Sequence, residues 1–372
     1  MTIEIIYIFI GIYAASWCFQ VYYYLWFMLK TSSEAKIDSS SSDQALSVVI
    51  CAKNEASNLK KHLPKILEQD YPDFQVVVVN DCSTDDTDMV LAHLKSKYEQ
   101  LYYTNIPNDK KFYQGKKLAL TLGVKAAKHE RLILTDADCQ PTSDKWLRHI
   151  SASFVNEKEI VIGHGRFTKK TSLFNLFLRY ETFWNAVQYM GFALRGLPFM
   201  AVGRNMAYNK SLFLKSDVFK RFLNVASGDD DLFMRSCATA TNTAICIKPE
   251  AQTESIAPKN FSDWTTRKAR HLTTAPHYTF KIKSLLFFEA LTRQLFWGLT
   301  ICSLFFPTFA LIGLGLFIVK TAIQYIVLAK AAKKMGEEKL YLASLLFDAI
   351  IPIIIGSIWL INIFSGKNKK WK

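Results

Sequence analysis

None of the seven cysteines stands in a C-x-x-C pair or at zinc-ligand spacing from a histidine, and their number is odd. That pattern argues against a disulfide framework and a sequence-local zinc site; buried free thiols in a reducing compartment fit it. Charge is absent from long stretches. Ile5 to Leu29 has no charged residue, a length that crosses about 30 Å of hydrocarbon as a helix. It also lacks the basic leader and small-residue cleavage site of a signal peptide, so residues 4–29 are expected to be a retained transmembrane helix. Gln294 to Val319 is likewise uncharged, and Leu340 to Phe364 carries only Asp348. Acidic residues are in deficit, 32 against 46 Lys and Arg, for a net charge of +14. A nucleic-acid partner suits such a balance, but Lys30, Lys281, Lys283, Lys330, Lys333 and Lys334 flank the apolar runs. Cytoplasmic membrane flanks carry that excess. A lipid bilayer and no nucleic acid is therefore the expected partner, with the soluble part facing the cytoplasm of a bacterial inner membrane.

Residues 30–44, with the run Ser39 to Ser42, read as a polar linker. A folded domain follows over 45–271. Strands are expected at Ala45–Cys51, Gln75–Val79 and Arg131–Leu134, and helices at Ala56–Glu68, Asp86–Tyr98 and Lys116–Lys128. Strand alternating with helix predicts an α/β fold built on a parallel sheet. Apolar residues recur at helical spacing from Phe174 to Met190 within 172–200, which suits either a core-facing helix or an interfacial helix with its aromatic face among lipid headgroups. Residues 272–372 predict a membrane region of two or three helices. Ser284 to Ala329 is one kinked segment or two spans divided at Pro307, and four spans are expected in all. Glu289 and Arg293 are tolerable there only if they pair with each other or face protein.

Chemistry concentrates in four places. Leu132 to Cys139 is an apolar run ending in Asp136-Ala-Asp138. Ligands bind beyond the carboxyl ends of such strands, and two carboxylates one residue apart suit Mg²⁺ or Mn²⁺, which share their sphere with substrate phosphates. Asn54 and Glu55 follow the first strand, where they suit either a nucleotide or a helix cap. Asp81 ends the second strand and suits a base or ribose donor; Ser83, Thr84 and Asp85 beside it read as helix-capping residues. Gly115-Lys116-Lys117 opens a helix in a way that suits a phosphate. Gly228-Asp229-Asp230-Asp231 packs three carboxylates together, so at least one is expected to have a raised pKa or a cationic partner, and a carboxylate poised in that way can act as a general base.

In order and spacing these stretches resemble glycosyltransferase family 2, over roughly Ala45 to His271. The resemblance implies a GT-A fold, a Rossmann-like mixed sheet, and an inverting transfer from a nucleotide-sugar donor, with a UDP-sugar the foremost candidate. It implies that Asp81 recognises the base, that Asp138 binds the metal with Asp136 nearer the nucleotide, and that Arg204 and Asn205 approach the sugars. Alignment makes Asp229 the catalytic base, with Asp230 one register away. Arg267-Lys-Ala-Arg270-His271 stands where membrane members carry Q-x-x-R-W. Arg270 matches, and Arg267 and His271 replace the glutamine and tryptophan. This departure weighs against processive polymer synthesis and keeps Arg267, Lys268 and Arg270 as cations for the diphosphate. The acceptor is expected to be a membrane lipid or lipid-linked glycan. A processive polysaccharide synthase and a catalytically inactive nucleotide-binding scaffold are the alternatives.

Overall fold

The computed structural model describes residues 3–32, 44–107, 115–222, 225, 228–337 and 339–365. In chain order the elements are α1 (Ile3–Trp26), β1 (Leu46–Ala52), α2 (Ala56–Leu67), β2 (Phe74–Asp81), α3 (Thr87–Lys97), β3 (Leu101–Ile106), α4 (Lys116–Ala126) and β4 (Arg131–Asp136). β5 (Cys139–Pro141), α5 (Trp146–Ser151), β6 (Ile160–Ile162), β7 (Gly165–Phe167), α6 (Leu173–Leu194), β8 (Met206–Asn209), α7 (Lys210–Ser216) and α8 (Val218–Arg221) follow. The rest comprises α9 (Asp231–Cys237), β9 (Thr243–Ile245), β10 (Thr253–Ser255), α10 (Phe261–His271), α11 (Phe280–Ser303), α12 (Pro307–Met335), α13 (Ser344–Phe347) and α14 (Ile350–Ser365). The described residues of Met1–Glu34, Lys169–Arg195 and Asn260–Lys367 cluster into one compact unit, and those of Ala35–Thr168 and Gly196–Lys259 into another. Below they are the helical unit and the sheet unit.

The sheet unit holds a seven-stranded mixed sheet in the order β3-β2-β1-β4-β8-β6-β9 and a small sheet in the order β5-β10-β7. β1, β2, β3 and β4 are mutually parallel, while β8 runs antiparallel to both β4 and β6. Val76 to Val79 and Val48 to Ile50 are buried, as strands covered by helices on both faces must be. The register places Cys51 beside Asp136 on one flank and Ala52 beside Asn80 on the other. One carboxyl edge therefore carries the ends of β1, β2 and β4. α4 lies close against this sheet because Gly123 has no side chain; a Cβ there would stand 2.6 Å from Val49 Cγ1. The edge strand β3 was not anticipated in sequence. Its Tyr102 and Asn105 face solvent, which dilutes the apolar signal on which strand recognition depends.

In the helical unit three helices are long and apolar enough to cross a membrane, Ile6–Ser32, Phe280–Ser303 and Phe309–Met335. The pair Leu340–Phe347 and Ile350–Phe364, bent by 64°, makes a fourth if it counts as one span. The uncharged run Gln294 to Val319 is split between α11 and α12, with Pro307 at the start of α12 where its missing N–H has no intrahelical partner to lose. Glu289 and Arg293 pair with each other at 2.5 Å, both 3% exposed. The aromatic face of α6 is packed against protein, not turned outward: Phe177 meets Phe347 and Trp264 edge-on at 5.4 and 5.0 Å, and Tyr180 and Phe183 are fully buried. Of the expected linker, Lys30 to Ser32 belongs to a 3₁₀ turn with Thr31 buried, and 33–43 lie outside the described residues.

Candidate active site

The site grows from the carboxyl edge of the parallel strands. Asp81 ends β2 fully buried, and neither of its carboxylate oxygens has a hydrogen-bond partner among the described residues. Burial raises its pKa, and the nearby Lys53 charge and the adjacent Cys82 thiol oppose that rise in part. A desolvated carboxylate without a donor is costly, and such a group inside a ligand edge is what a bound donor would satisfy.

Asp136 ends β4 and Asp138 follows one residue on. Ligand atoms of Asp136, Asp138 and Cys139 all lie within 4.8 Å of one another. Burial, reinforced by Asp138, pushes the Cys139 thiol well up, so the sulfur is a protonated neighbour and the hard donors are the two carboxylates. That donor set fits Mg²⁺ or Mn²⁺ sharing its sphere with phosphate oxygens.

Lys116, at the first turn of α4, joins two of the predicted motifs. Its Nζ lies 3.0 Å from Asp136 Oδ1 and 2.8 Å from Asp229 Oδ2. Partial burial alone would lower its pKa, but Asp136 and Asp229 outweigh that effect and hold it charged. Gly228, with φ +88°, turns the chain into Asp229 through a backbone conformation that side chains disfavour. Asp230 is the N-cap of α9; its Oδ1 accepts from Asp231 N at 2.8 Å and its Oδ2 from Gly203 N at 2.9 Å. Desolvation, then the adjacent Asp229 charge, raises its pKa to about 6. A Cβ on Gly203 would sit 3.5 Å from both Lys116 Nζ and Asp230 Oδ2 and 3.6 Å from Asp229 Oδ2, which marks where these groups converge. The Gly203 N–H is a contributor that sequence reading passed over in favour of its neighbours Arg204 and Asn205; a glycine opening that stretch was the available signal.

Most of the other expected site residues have partners of their own. Lys117 turns away from the carboxylates and donates to the Phe222 and Val225 carbonyls at 2.7 and 2.5 Å, because consecutive helical residues point about 100° apart. Asn205 is fully buried and structural: its Oδ1 accepts from Trp146 Nε1, and its Nδ2 donates to the His164 and Ala251 carbonyls. Arg204 stacks over Phe167, 4.6 Å from the ring centre, and donates to Ser255 Oγ. Asn54, at φ +55°, fastens two loops, with its N–H on Ser83 Oγ and its Oδ1 accepting from Thr84 N, both at 2.8 Å. Glu55 begins α2 without capping it through its side chain, accepting instead from Asn58. The capping work falls to Asp85, which accepts from Thr87 N and, across the loop, from Ala56 N. Arg267, Lys268 and Arg270 lie on α10 of the helical unit, where Lys268 pairs with Glu181.

The order of motifs along a mixed sheet has a counterpart among known proteins. The family described as Glycosyl transferase family 2 matches residues 47–215. This region is a family 2 glycosyltransferase domain. The chain is 26% identical over 169 residues to a poly-β-1,6-N-acetyl-D-glucosamine synthase of Staphylococcus epidermidis, covering 45% of this chain and 39% of that protein. It is 30% identical over 115 residues to a β-monoglucosyldiacylglycerol synthase of Nostoc sp., covering 30% and 24%. It thus spans less than half of these relatives. A mannosyltransferase from Pyrobaculum calidifontis, solved with GDP-Man and Mn²⁺, superposes with a TM-score of 0.60 over 97% of this chain and 99% of that one at 19% identity. The glycosyltransferase domain therefore has the GT-A fold, and the residues converging on Lys116 occupy its carboxyl edge.

Proposed function

We propose that the protein transfers a sugar, with inversion, from a nucleoside-diphosphate donor to a lipid or lipid-linked glycan at the cytoplasmic face of a membrane. The observation that carries this reading is the convergence of the D-x-D carboxylate Asp136 and the Gly228-Asp-Asp carboxylate Asp229 on one ammonium, at the sheet edge where Asp81 is buried unpartnered.

Asp81 would accept from the base, which supports a donor such as uridine with an N–H to offer. Asp138 and Asp136 would hold Mg²⁺ or Mn²⁺; when bound, the ion supplies charge for the departing diphosphate. Asp229 is the better base than Asp230, since both Asp230 oxygens already accept backbone N–H groups. Asp229 takes the acceptor hydroxyl proton as the acceptor oxygen bonds the anomeric carbon. The bond from that carbon to the phosphate oxygen breaks, and its electron pair leaves with the diphosphate. Lys116 stands ready to hold that charge. The Staphylococcus relative favours a processive synthase as a second reading; the altered Arg267 to His271 stretch counts against it, and product length decides.

The test is donor turnover by the detergent-purified full chain, screened with UDP- and GDP-sugars, Mn²⁺ or Mg²⁺, and a bacterial lipid extract. Metal-dependent release of nucleoside diphosphate with a labelled lipid product is expected. Asp138→Ala and Asp229→Ala should each lower the rate by about 10² to 10⁴. Nucleotide binding without turnover under any condition would favour the inactive scaffold.

A further inference from the structure

The Lys116 ammonium makes two short contacts that serve opposite ends of the reaction. On the reading proposed above, Asp136 serves the metal and diphosphate side and Asp229 the acceptor side, and Lys116 Nζ lies 3.0 Å from the first and 2.8 Å from the second. While Lys116 donates to Asp229 Oδ2 at 2.8 Å, that oxygen is occupied by a cation and is not open to an acceptor hydroxyl. The backbone holds the contact in place from both directions. α4 is seated on the sheet through Gly123, and the adjacent Lys117 grips the Phe222 and Val225 carbonyls shortly before Asp229. Gly203 lies beside the ammonium, where a Cβ would stand 3.5 Å from Nζ.

We propose that the Lys116 bridge is a latch: it ties up the base Asp229 until a metal-bound nucleoside diphosphate draws Lys116 away. This inference rests on the transferase reading above. Asp136 and Asp138 would hold a divalent cation, whose charge would take the place of the ammonium beside Asp136. The diphosphate then offers Lys116 an anion of higher charge than a single carboxylate. Lys116 swings to the phosphates through its flexible stem, and Asp229 is released at the moment a donor is present. Acceptor activation is thereby made conditional on donor binding by a single side chain, and binding of the diphosphate must overcome the Lys116–Asp229 pair.

The latch is read by equilibrium binding of Mn²⁺·UDP and Mn²⁺·GDP to the detergent-solubilised full chain, without turnover. Lys116→Met should weaken binding about tenfold or more. Asp229→Asn should tighten it about three- to tenfold, because Lys116 is no longer held back. Bare charge repulsion between Asp229 and the diphosphate would also give a gain, so the double variant decides. The latch requires that Asp229→Asn gain far less in the Lys116→Met background than in the wild type. An equal gain in both backgrounds, or no gain in either, overturns the latch while leaving the transferase reading intact. If the wild type binds neither nucleotide, that reading itself falls. Lys116→Arg, which keeps the charge, should retain most of the binding and of the coupling; loss in both would mark Lys116 as structural and also overturn the latch.

Discussion

The sheet unit and the helical unit both bury charge, and they treat it differently. In the helical unit two acids meet two bases. Glu289 pairs with Arg293, Asp348 accepts from Lys320 at 2.6 Å and lies 3.6 Å from Arg293, and the Trp297 indole donates to Asp348 at 2.9 Å. Asp348 sits at the break between α13 and α14, so the cluster fastens that bend to α11 and α12. In the sheet unit the carboxylates Asp136, Asp229 and Asp230 gather around Lys116, while Asp81 is buried with no partner among the described residues. Balanced charge is the mark of a structural clamp. An excess of carboxylate, with one left unsatisfied, is the mark of a place that receives a cation and a polar ligand.

The comparison can be broken at its most expensive point. Arg293→Leu strands Glu289 in the helical unit and leaves Lys320 as the remaining cation beside Asp348 among the described residues. Removing one partner of a buried pair costs about 3–5 kcal/mol, so thermal unfolding in detergent should fall steeply. Replacing both, as Glu289→Leu with Arg293→Leu, should lower it less than the single change. If the single change is harmless, the cluster is no clamp.

Within the sheet unit, Asn205→Ala should be the costliest of the residues once expected to touch substrate. It strands the Trp146 N–H and takes a donor from the Ala251 and His164 carbonyls, of which His164 keeps the Thr253 N–H, at about 1–3 kcal/mol for each group left unsatisfied. Nucleotide binding by the fraction that stays folded should hold near wild type. A loss of binding with unchanged stability would return Asn205 to the substrate.

The two sites were not equally legible in the sequence. Asp136 and Asp138 could be read because an apolar strand delivers them to the sheet edge, a one-dimensional pattern with a three-dimensional consequence. The cluster that holds Asp229 stood out because three adjacent carboxylates are conspicuous. Lys116 and Lys117 look alike in sequence, and only the helical turn between them sends one into the site and the other to backbone carbonyls. Asn205 was assigned to the sugars through the family resemblance, and its hydrogen-bond partners, Trp146, His164 and Ala251, lie too far along the chain to be read from its neighbours. The antiparallel strand β8 and the edge strand β3 were hidden for a related reason. Four residues at β8 and the half-exposed side chains of β3 carry too little periodicity, and pairing with β4 and β2 is what makes them strands. In the helical unit the apolar runs announced the long apolar helices, whereas the partners of Asp348, on α11 and α12, required the packing.

The smallest effect is also the sharpest test of the comparison. Asp81 is buried with a raised pKa, so its ionised form is disfavoured in the fold. Such a group adds stability fully below its unfolded pKa and loses it as pH rises through the folded value. Wild type without nucleotide therefore bears a penalty near neutral pH that Asp81→Asn removes. The variant should melt slightly higher than wild type at pH 7, and the difference should vanish as pH falls below the ordinary aspartate range. At pH 7 the same variant should bind Mn²⁺·UDP about tenfold or more weakly, since a charged acceptor for the base has been lost. Higher stability with weaker binding is the signature of a residue kept unsatisfied for a ligand. Should Asp81→Asn instead lower the melting temperature at pH 7, Asp81 would be a structural group like Asp348, and the contrast between the two units would fail at its central residue.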